Sequence, residues 1–240
     1  MKKYDYDQIQ PGYYDKVHQR NKGVQSRWHH HKFEMLSKSM PTKGKVLDIG
    51  CGPGTFVGSL KSQNPQLNCV GIDFSKQQIQ YARQAYPQAE FHCIDIYDRN
   101  IEPDFLQAFD TIAIIEVIEH IDRSEAIAML KRTRELIKTS GKLVLTTPNY
   151  HSLWGSVERL VNFFGEVNYQ DQHINKYCSS RLRIDLEEAG FKNIRINSFL
   201  SFSPFLAAVS WRLSKIASLG ECYSGILRPA GMLLIAEATP

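Results

Sequence analysis

The stretch Val46-Leu47-Asp48-Ile49-Gly50-Cys51-Gly52-Pro53-Gly54 constrains the fold more than any other part of the chain. It reads as an apolar strand that runs straight into a glycine-rich turn, with a helix opening at about Thr55. Gly50 and Gly52 accept backbone angles, and permit a close approach, that a Cβ would block. Pro53 stands where a helix start tolerates proline. In an open α/β sheet, ligands bind at the carboxyl ends of the strands beside such a turn. The turn is not the dinucleotide fingerprint GxGxxG, because its third glycine, Gly54, comes one residue early. Asp48 also puts an acid beside the ligand position. It would repel a pyrophosphate but attract the cationic amino-acid portion of another ligand, directly or through water.

From Lys45 onward, short β-branched runs alternate with helical patterns. Strands are predicted at Lys45–Ile49, Asn68–Ile72, Glu90–Ile94, Asp110–Ile115 and Lys142–Thr147. Ser75 with Gln78 has the spacing of a capping box and precedes Ile79, Ala82 and Tyr86 on one helical face; Asp122 with Glu125 precedes Ile127, Leu130 and Ile137 in the same way. A third helix over about Ser179–Ala189 buries Leu182, Leu186 and Ala189 and stops at Gly190. Such alternation implies parallel strands with right-handed crossovers. Two last strands are expected over Asn193–Leu200 and Met232–Ala238, the latter antiparallel, which makes seven with helices on both faces.

Residues 1–44 form a different zone, expected to be a helical lid. It carries Tyr4, Tyr6, Tyr13, Tyr14, Trp28 and His29-His30-His31, with a helix from about Val24 to Ser39. Its aromatic residues suit either a lid or plain packing. The three histidines cannot share one metal ion, because consecutive helical residues point about 100° apart; no metal site is expected. Residues 45–240 are expected to form the main domain, with insertions near 151–170 and 203–228. The first carries Val157, Leu160, Val161 and Phe164 at helical spacing. The second carries Leu206, Val209, Leu213 and Ile216; its apolar face is expected to dock on the domain, the other reading being contact with a membrane surface.

Composition limits the classes. With 42% hydrophobic and 22% charged residues in 240, one large α/β domain with a substantial core is expected. A net charge of +4 without any basic run argues against a nucleic-acid partner. Five cysteines, an odd number without metal-ligand spacing, imply a reducing setting, and Cys69 and Cys93 lie in runs where buried thiols are common. The polar start and the lack of roughly 18–20 consecutive apolar residues point to the cytoplasm, with peripheral membrane contact left open.

Several segments, in order, carry a family resemblance. Asp48–Gly54 resembles motif I of the Rossmann-like methyltransferases that depend on S-adenosylmethionine (SAM). Gly71-Ile72-Asp73-Phe74-Ser75 resembles their second-strand motif, and Cys93-Ile94-Asp95-Ile96 their third-strand end. Phe109-Asp110 through Glu116-Val117-Ile118-Glu119-His120-Ile121 resembles the fourth-strand motif. Gly141–Asn149 and Arg183–Phe191 resemble later segments. The resemblance implies a seven-stranded Rossmann-like sheet and SAM as cofactor, leaving S-adenosylhomocysteine as product. It implies that Asp48, Gly50, Gly52 and Gly54 hold the cofactor, that Asp73 takes the ribose hydroxyls and that Asp95 meets the adenine amino group, with Phe74, Ile96 and Glu116 lining the site. Read plainly, Asp73 is a helix-entry residue, Asp95 a turn residue, Ile96 core and Glu116 a solvated acid.

Within that family the chain is most similar to the quinone-biosynthesis O-methyltransferases, through Glu116–His120, the helical insertion after Thr147-Pro148-Asn149, and Asp171-Gln172-His173. That implies methyl transfer to a small, partly apolar acceptor at oxygen. His120 and His173 are the candidate catalytic bases, since an unperturbed imidazole accepts a proton near neutral pH; the plain readings are a structural hydrogen-bonding histidine for His120 and a loop histidine for His173. The aromatic N-terminal segment departs from the quinone enzymes and keeps a sugar, a lipid-linked glycan or a natural product open as acceptor. A noncatalytic SAM-binding partner and a nicotinamide oxidoreductase are the readings from other classes. Nothing in the chain reports oligomeric state.

Overall fold

A computed structural model describes residues 10–98, 103–164, 172–223 and 231–240, without side chains at 160–164 and 222–223. Tyr4, Tyr6 and Asp171, the side chains of Leu160, Val161, Phe164 and Cys222, and parts of both expected insertions lie outside the described residues.

Seven strands form one sheet in the order β3-β2-β1-β4-β5-β7-β6. They are β1 (Lys45–Ile49), β2 (Asn68–Asp73), β3 (Glu90–Cys93), β4 (Phe109–Ile115), β5 (Ile137–Pro148), β6 (Lys192–Phe199) and β7 (Leu233–Thr239). The first five pair in parallel, while β7 runs antiparallel to β5 and β6 and lies between them. This is the expected Rossmann-like sheet. The helices are α1 (Tyr13–Gln19), α2 (Gly23–Lys38), α3 (Thr55–Gln63), α4 (Lys76–Ala85), α5 (Arg123–Leu136), α6 (Trp154–Phe164), α7 (Ser179–Glu188) and α8 (Trp211–Tyr223).

Period-two alternation sends successive strand residues into two cores. Val46, Cys69 and Val144 pack with Phe33 and Leu36 of α2, Phe56 and Leu60 of α3, and Ile79 and Ala82 of α4. Leu47, Val70, Leu143 and Leu145 pack on the other face with Met129 and Leu130 of α5 and Leu182 and Leu186 of α7.

Several local expectations are corrected. The α5 capping box closes between Asp122 and Glu125, but Ile137 is the first residue of β5, not helical, because it pairs with Phe109 across a bulge. Ser75 caps α4, yet Gln78 leaves the box open; its Oε1 accepts the Gly12 amide at 3.3 Å and ties the N-terminal segment to α4. Cys93 is exposed, because β3 lies at the sheet edge. The second insertion is not one helix: a 3-10 turn over Ser203–Ala208 precedes α8, and the Ser210 hydroxyl accepts the Leu213 amide.

The orientation of that insertion is also the reverse of the expectation. Val209, Leu213, Ile216 and Leu219 are exposed, at 53–83% for the four. The polar side is the buried one. Glu221 accepts the Phe202 and Ser203 amides at 2.8 and 2.7 Å, Ser214 Oγ donates to the Ser203 carbonyl at 2.6 Å, and Ser218 Oγ accepts from Arg27 at 2.5 Å. Buried polar groups demand partners, and α8 finds them only with this face inward.

Gly54 sits at φ +76°, where a Cβ would lie 2.7 Å from the Phe91 ring and 3.0 Å from Ala82. Both the left-handed angle (about 1–2 kcal/mol) and overpacking (about 1–3 kcal/mol) oppose a larger residue. Gly54→Ala is therefore expected to lower stability by roughly 2–5 kcal/mol in urea unfolding; an unchanged midpoint would mean that the loop relaxes freely.

Candidate functional site

The carboxyl ends of β1, β2 and β4 open into a cavity of about 910 Å³. That is the upper end of the range for small-molecule sites, about 300–1,000 Å³. Its floor is the glycine turn. The Gly50 and Cys51 amides both donate to the Ile72 carbonyl, at 2.9 and 3.0 Å, which folds the turn back over β2. Gly50 has φ +75° and lies under Val117, where a Cβ would come within 2.7 Å; a Cβ on Gly52 would meet nothing within 4 Å. Gly50 is thus required by packing, and Gly52 leaves space beside the cavity.

Asp73 fixes the same turn from β2. Its Oδ2 accepts the Gly52 amide at 2.9 Å and its Oδ1 the Ser75 amide at 2.8 Å. Burial raises its pKa above the usual carboxylate range, and the two amides only partly offset that. Asp48 is buried, and its Oδ1 has no hydrogen-bond partner. Burial, and then the nearby Asp73, push the Asp48 carboxyl well above its ordinary pKa, against the pull of Lys32. A cationic group entering the cavity would relieve both effects.

Phe74 is 58% exposed and Ile96 is buried, and both line the cavity. Asp95 lines it as well, while its Oδ1 accepts the Tyr97 amide at 3.0 Å, so the turn role is also present. Gly54 is not among the lining residues; its conformation and its contact with Phe91 account for it.

A further part of the wall is built from the end of β4 and from segments distant in sequence. Glu116 has φ +53°, an uncommon angle for a residue with a side chain. Its carboxylate pairs with Lys32 of α2, which is buried. Glu119 is fully buried; its Oε2 accepts from Thr147 Oγ1 at 3.0 Å, and its Oε1 has no partner. Burial, then Glu116, hold the Glu119 carboxyl well above its ordinary pKa. His120 and His173 meet here, with ring centroids 5.0 Å apart. His120 Nδ1 lies 3.1 Å from the Gln172 carbonyl, and its ring is also near the Glu116 carbonyl. Burial, and secondarily His173, lower the His120 pKa to about 4. His173 Nδ1 lies 2.6 Å from Glu158 Oε1 and 2.8 Å from the Tyr150 hydroxyl, which itself donates to Glu158.

The N-terminal helices contribute to the lining of the cavity. Tyr13, Tyr14, Trp28 and His29 line the cavity, joined by Trp154 and Val157 of α6 and by Phe205. Asp15 anchors α1, accepting from the hydroxyls of Tyr81 (2.8 Å) and Tyr86. The three consecutive histidines diverge: His29 faces Tyr14, His30 stacks on His18, and His31 Nδ1 meets Ser203 Oγ at 3.1 Å.

Sequence reasoning did not single out Lys32, Glu119, Tyr150 or Glu158. Lys32 lies four residues after Trp28, so a lone cation on the aromatic face of α2 was the available signal. Glu119 stands within the quoted fourth-strand motif. For Tyr150 and Glu158 no local signal exists. The Lys32–Glu116 pair is half-shielded, so breaking it leaves a poorly solvated charge. Lys32→Met is expected to destabilise the protein by about 1–3 kcal/mol. Glu116→Gln in the same chain should recover part of that, and a double-mutant cycle in urea with no coupling would remove the pair as a structural tie.

The family model "Methyltransferase domain" matches residues 18–196. An uncharacterized 37.1 kDa protein in transposon TN4556 of Streptomyces fradiae is 32% identical over 113 residues, covering 45% of this chain and 31% of that one. A ubiquinone biosynthesis O-methyltransferase of Idiomarina loihiensis is 28% identical over 169 residues, 67% of this chain and 66% of that one. The matches thus span less than two thirds of either relative. The crystal structure of a SAM-dependent methyltransferase from Archaeoglobus fulgidus superposes with a TM-score of 0.64 at 20% identity, covering 95% of this chain and all of that one (100%).

Proposed function

The chain belongs to the methyltransferase-domain family of class I SAM-dependent methyltransferases, and on that premise we propose that it transfers a methyl group from SAM to an oxygen of a small, partly apolar acceptor. The observation that carries the cofactor assignment is Asp48, a cavity-lining residue whose buried Oδ1 has no partner, beside the open side of Gly52. These features fit a ligand with a cationic amino-acid end. Asp48, Gly50 and Gly52 would hold that end, Asp73 the ribose hydroxyls, and Asp95, Ile96 and Phe74 the adenine. Gly54 contributes by shaping the turn. Lys32 and Glu116 would complete the charge pattern around the amino-acid end. SAM, when bound, supplies a methyl group already activated on a sulfonium.

The chain's own task is then to align the acceptor, exclude water and take up a proton. The aromatic and apolar wall of Tyr13, Tyr14, Trp28, Trp154 and Val157 suits a partly apolar acceptor. His120 and His173 lie at that end of the cavity. Burial keeps His120 unprotonated but, by lowering its pKa to about 4, also makes it a weaker base than a free imidazole. The relation to a ubiquinone biosynthesis O-methyltransferase supports oxygen as the accepting atom.

Among the described residues no helix is long and apolar enough to cross a membrane. We propose peripheral contact instead, through the outward face of α8. Leu213, Ile216 and Leu219 are exposed there beside Arg212 and Lys215, while Glu221 is turned inward. Apolar residues flanked by cations suit an anionic lipid surface, and Phe205, from the 3-10 turn that precedes α8, lines the cavity.

Two measurements test these readings. Calorimetric titration with S-adenosylhomocysteine should show micromolar binding that weakens at least tenfold in Asp73→Ala; a folded wild-type protein that binds none would end the cofactor assignment. Sedimentation with vesicles containing phosphatidylglycerol should pellet the wild type, and Leu213→Ser with Ile216→Ser should abolish it. Equal pelleting of both proteins would remove α8 as the contact.

A further inference from the structure

His173 is buried and lines the cavity, while two residues that meet its Nδ1 stand behind the wall. Glu158 Oε1 lies 2.6 Å from that nitrogen and the Tyr150 hydroxyl 2.8 Å from it. Neither Glu158 nor Tyr150 belongs to the cavity lining. We propose that Glu158, supported by Tyr150, is a positioning residue that makes His173 the base of the reaction. The part played by His173 rests on the oxygen-acceptor reading of the site; its orientation by Glu158 does not.

The hydrogen bonds fix the ring. A carboxylate can only accept, so His173 Nδ1 carries the proton and, in the neutral ring, Nε2 carries the lone pair. Tyr150 donates its one proton to Glu158 Oε1 at 2.8 Å, so its oxygen also faces Nδ1 as an acceptor. The side chains of His173 and Glu158 are each 4% exposed, and a charge-assisted bond is stronger than one between neutral groups. Burial opposes a charge on Glu158, but the hydrogen bonds from His173 and Tyr150 outweigh it and hold the carboxyl below its ordinary pKa. Lys176, whose ammonium lies 5.4 Å over the Tyr150 ring, adds a weaker pull in the same direction. The placement follows from the helix. Trp154 and Glu158 are one turn apart on α6 and share a face. The Trp154 ring lies 6.3 Å from the imidazole and lines the cavity, and Glu158 closes on Nδ1.

His120 is placed differently. Its Nδ1 meets the neutral Gln172 carbonyl at 3.1 Å, and burial, then His173, lower its pKa to about 4. An imidazolium at His173 would be held by a buried carboxylate at hydrogen-bond distance, as in hydrolytic triads where a buried acid orients the base and stabilises its charged form. In the step, the acceptor hydroxyl gives its proton to His173 Nε2. The oxygen keeps that electron pair and uses it to form the O–CH₃ bond, while the S–CH₃ pair stays on sulfur. The imidazolium is held against Glu158 until its proton passes to solvent. Glu158 takes up no proton and touches no reacting atom.

The test combines ¹⁵N-histidine NMR of the full chain with kinetics. Wild-type His173, identified by the signals lost in His173→Asn, is expected as the Nδ1–H tautomer, and Glu158→Ala is expected to admit the other one. Rates are read as transfer of labelled methyl groups from SAM to a panel of phenols, catechols and hydroxylated prenyl compounds. Glu158→Gln keeps an accepting oxygen but loses the charge; it should lower kcat at least about tenfold with KM unchanged, Glu158→Asp should recover part of the loss, and His173→Asn should cost about a hundredfold or more. In Glu158→Gln the acidic limb of the kcat profile should also move to lower pH, because the imidazolium has lost its anionic partner; a merely structural role would leave that limb in place. His120 and Glu119 face the same ring from the segment after β4 and are unchanged in these variants. S-adenosylhomocysteine titration reports whether each variant is folded. The proposal is overturned by a wild-type Nε2–H tautomer, by an unchanged tautomer in folded Glu158→Ala, or by a folded Glu158→Gln with wild-type kcat and pH profile. An Nδ1–H tautomer that depends on Glu158, in protein that binds S-adenosylhomocysteine yet methylates no hydroxyl of the panel, supports the positioning role and ends the oxygen-acceptor reading.

Discussion

Three backbone amides folded onto the end of β2 organise this molecule. Gly50 and Cys51 donate to the Ile72 carbonyl, and Gly52 donates to the Asp73 carboxylate. These bonds turn the chain sharply after β1, a strand flanked by β2 and β4, and start α3 at Thr55. Both faces of β1 are buried, so the turn is the place where that strand can release its polar backbone to a ligand. The cavity follows from it: with helices covering both faces of the sheet, the open ground is at the carboxyl ends of the strands.

The wall facing the turn is made by long-range polar ties. Lys32 reaches Glu116 from α2, Gln172 and Glu158 hold the two histidines, and Asp15 anchors α1 through two tyrosines of the α4 region. Each tie buries charge or a strong hydrogen-bonding group, which is costly unless satisfied. The cost is met by pairing in most places. Among the carboxylates it is not met at Asp48 Oδ1 and Glu119 Oε1, which both belong to cavity-lining residues. Unpartnered carboxylate oxygens on two residues of one cavity mark where an electropositive group would be most stabilised.

Helix α8 illustrates why apolar spacing alone misleads. Leu206, Val209, Leu213 and Ile216 recur as a buried stripe would, yet the polar stripe of Ser214, Ser218 and Glu221 turns inward. The amides at Ser201–Ser203, part-buried or buried, and the buried guanidinium of Arg27 needed acceptors, and α8 supplies them. Satisfying buried donors outweighed burying one more apolar face. The same competition opened the Ser75–Gln78 box, where Gln78 was drawn to the Gly12 amide.

What the sequence determined by itself was everything set by near neighbours along the chain. The seven strands, the turn at Gly50–Gly54, the Asp122–Glu125 cap and the stop at Gly190 each follow from alternation, steric freedom at glycine or a hydrogen bond spanning a few residues. The candidates Asp48, Asp73, Asp95 and Glu116 were legible because they stand at strand ends, which the topology brings to one edge. Lys32 beside Glu116, Glu158 beside His173 and the inward polar face of α8 were decided by the tertiary structure alone. Their partners are far apart in sequence, 84 residues for Lys32 and Glu116. No local periodicity encodes which distant donor will face which buried acceptor, because that depends on how the whole sheet and its helices pack.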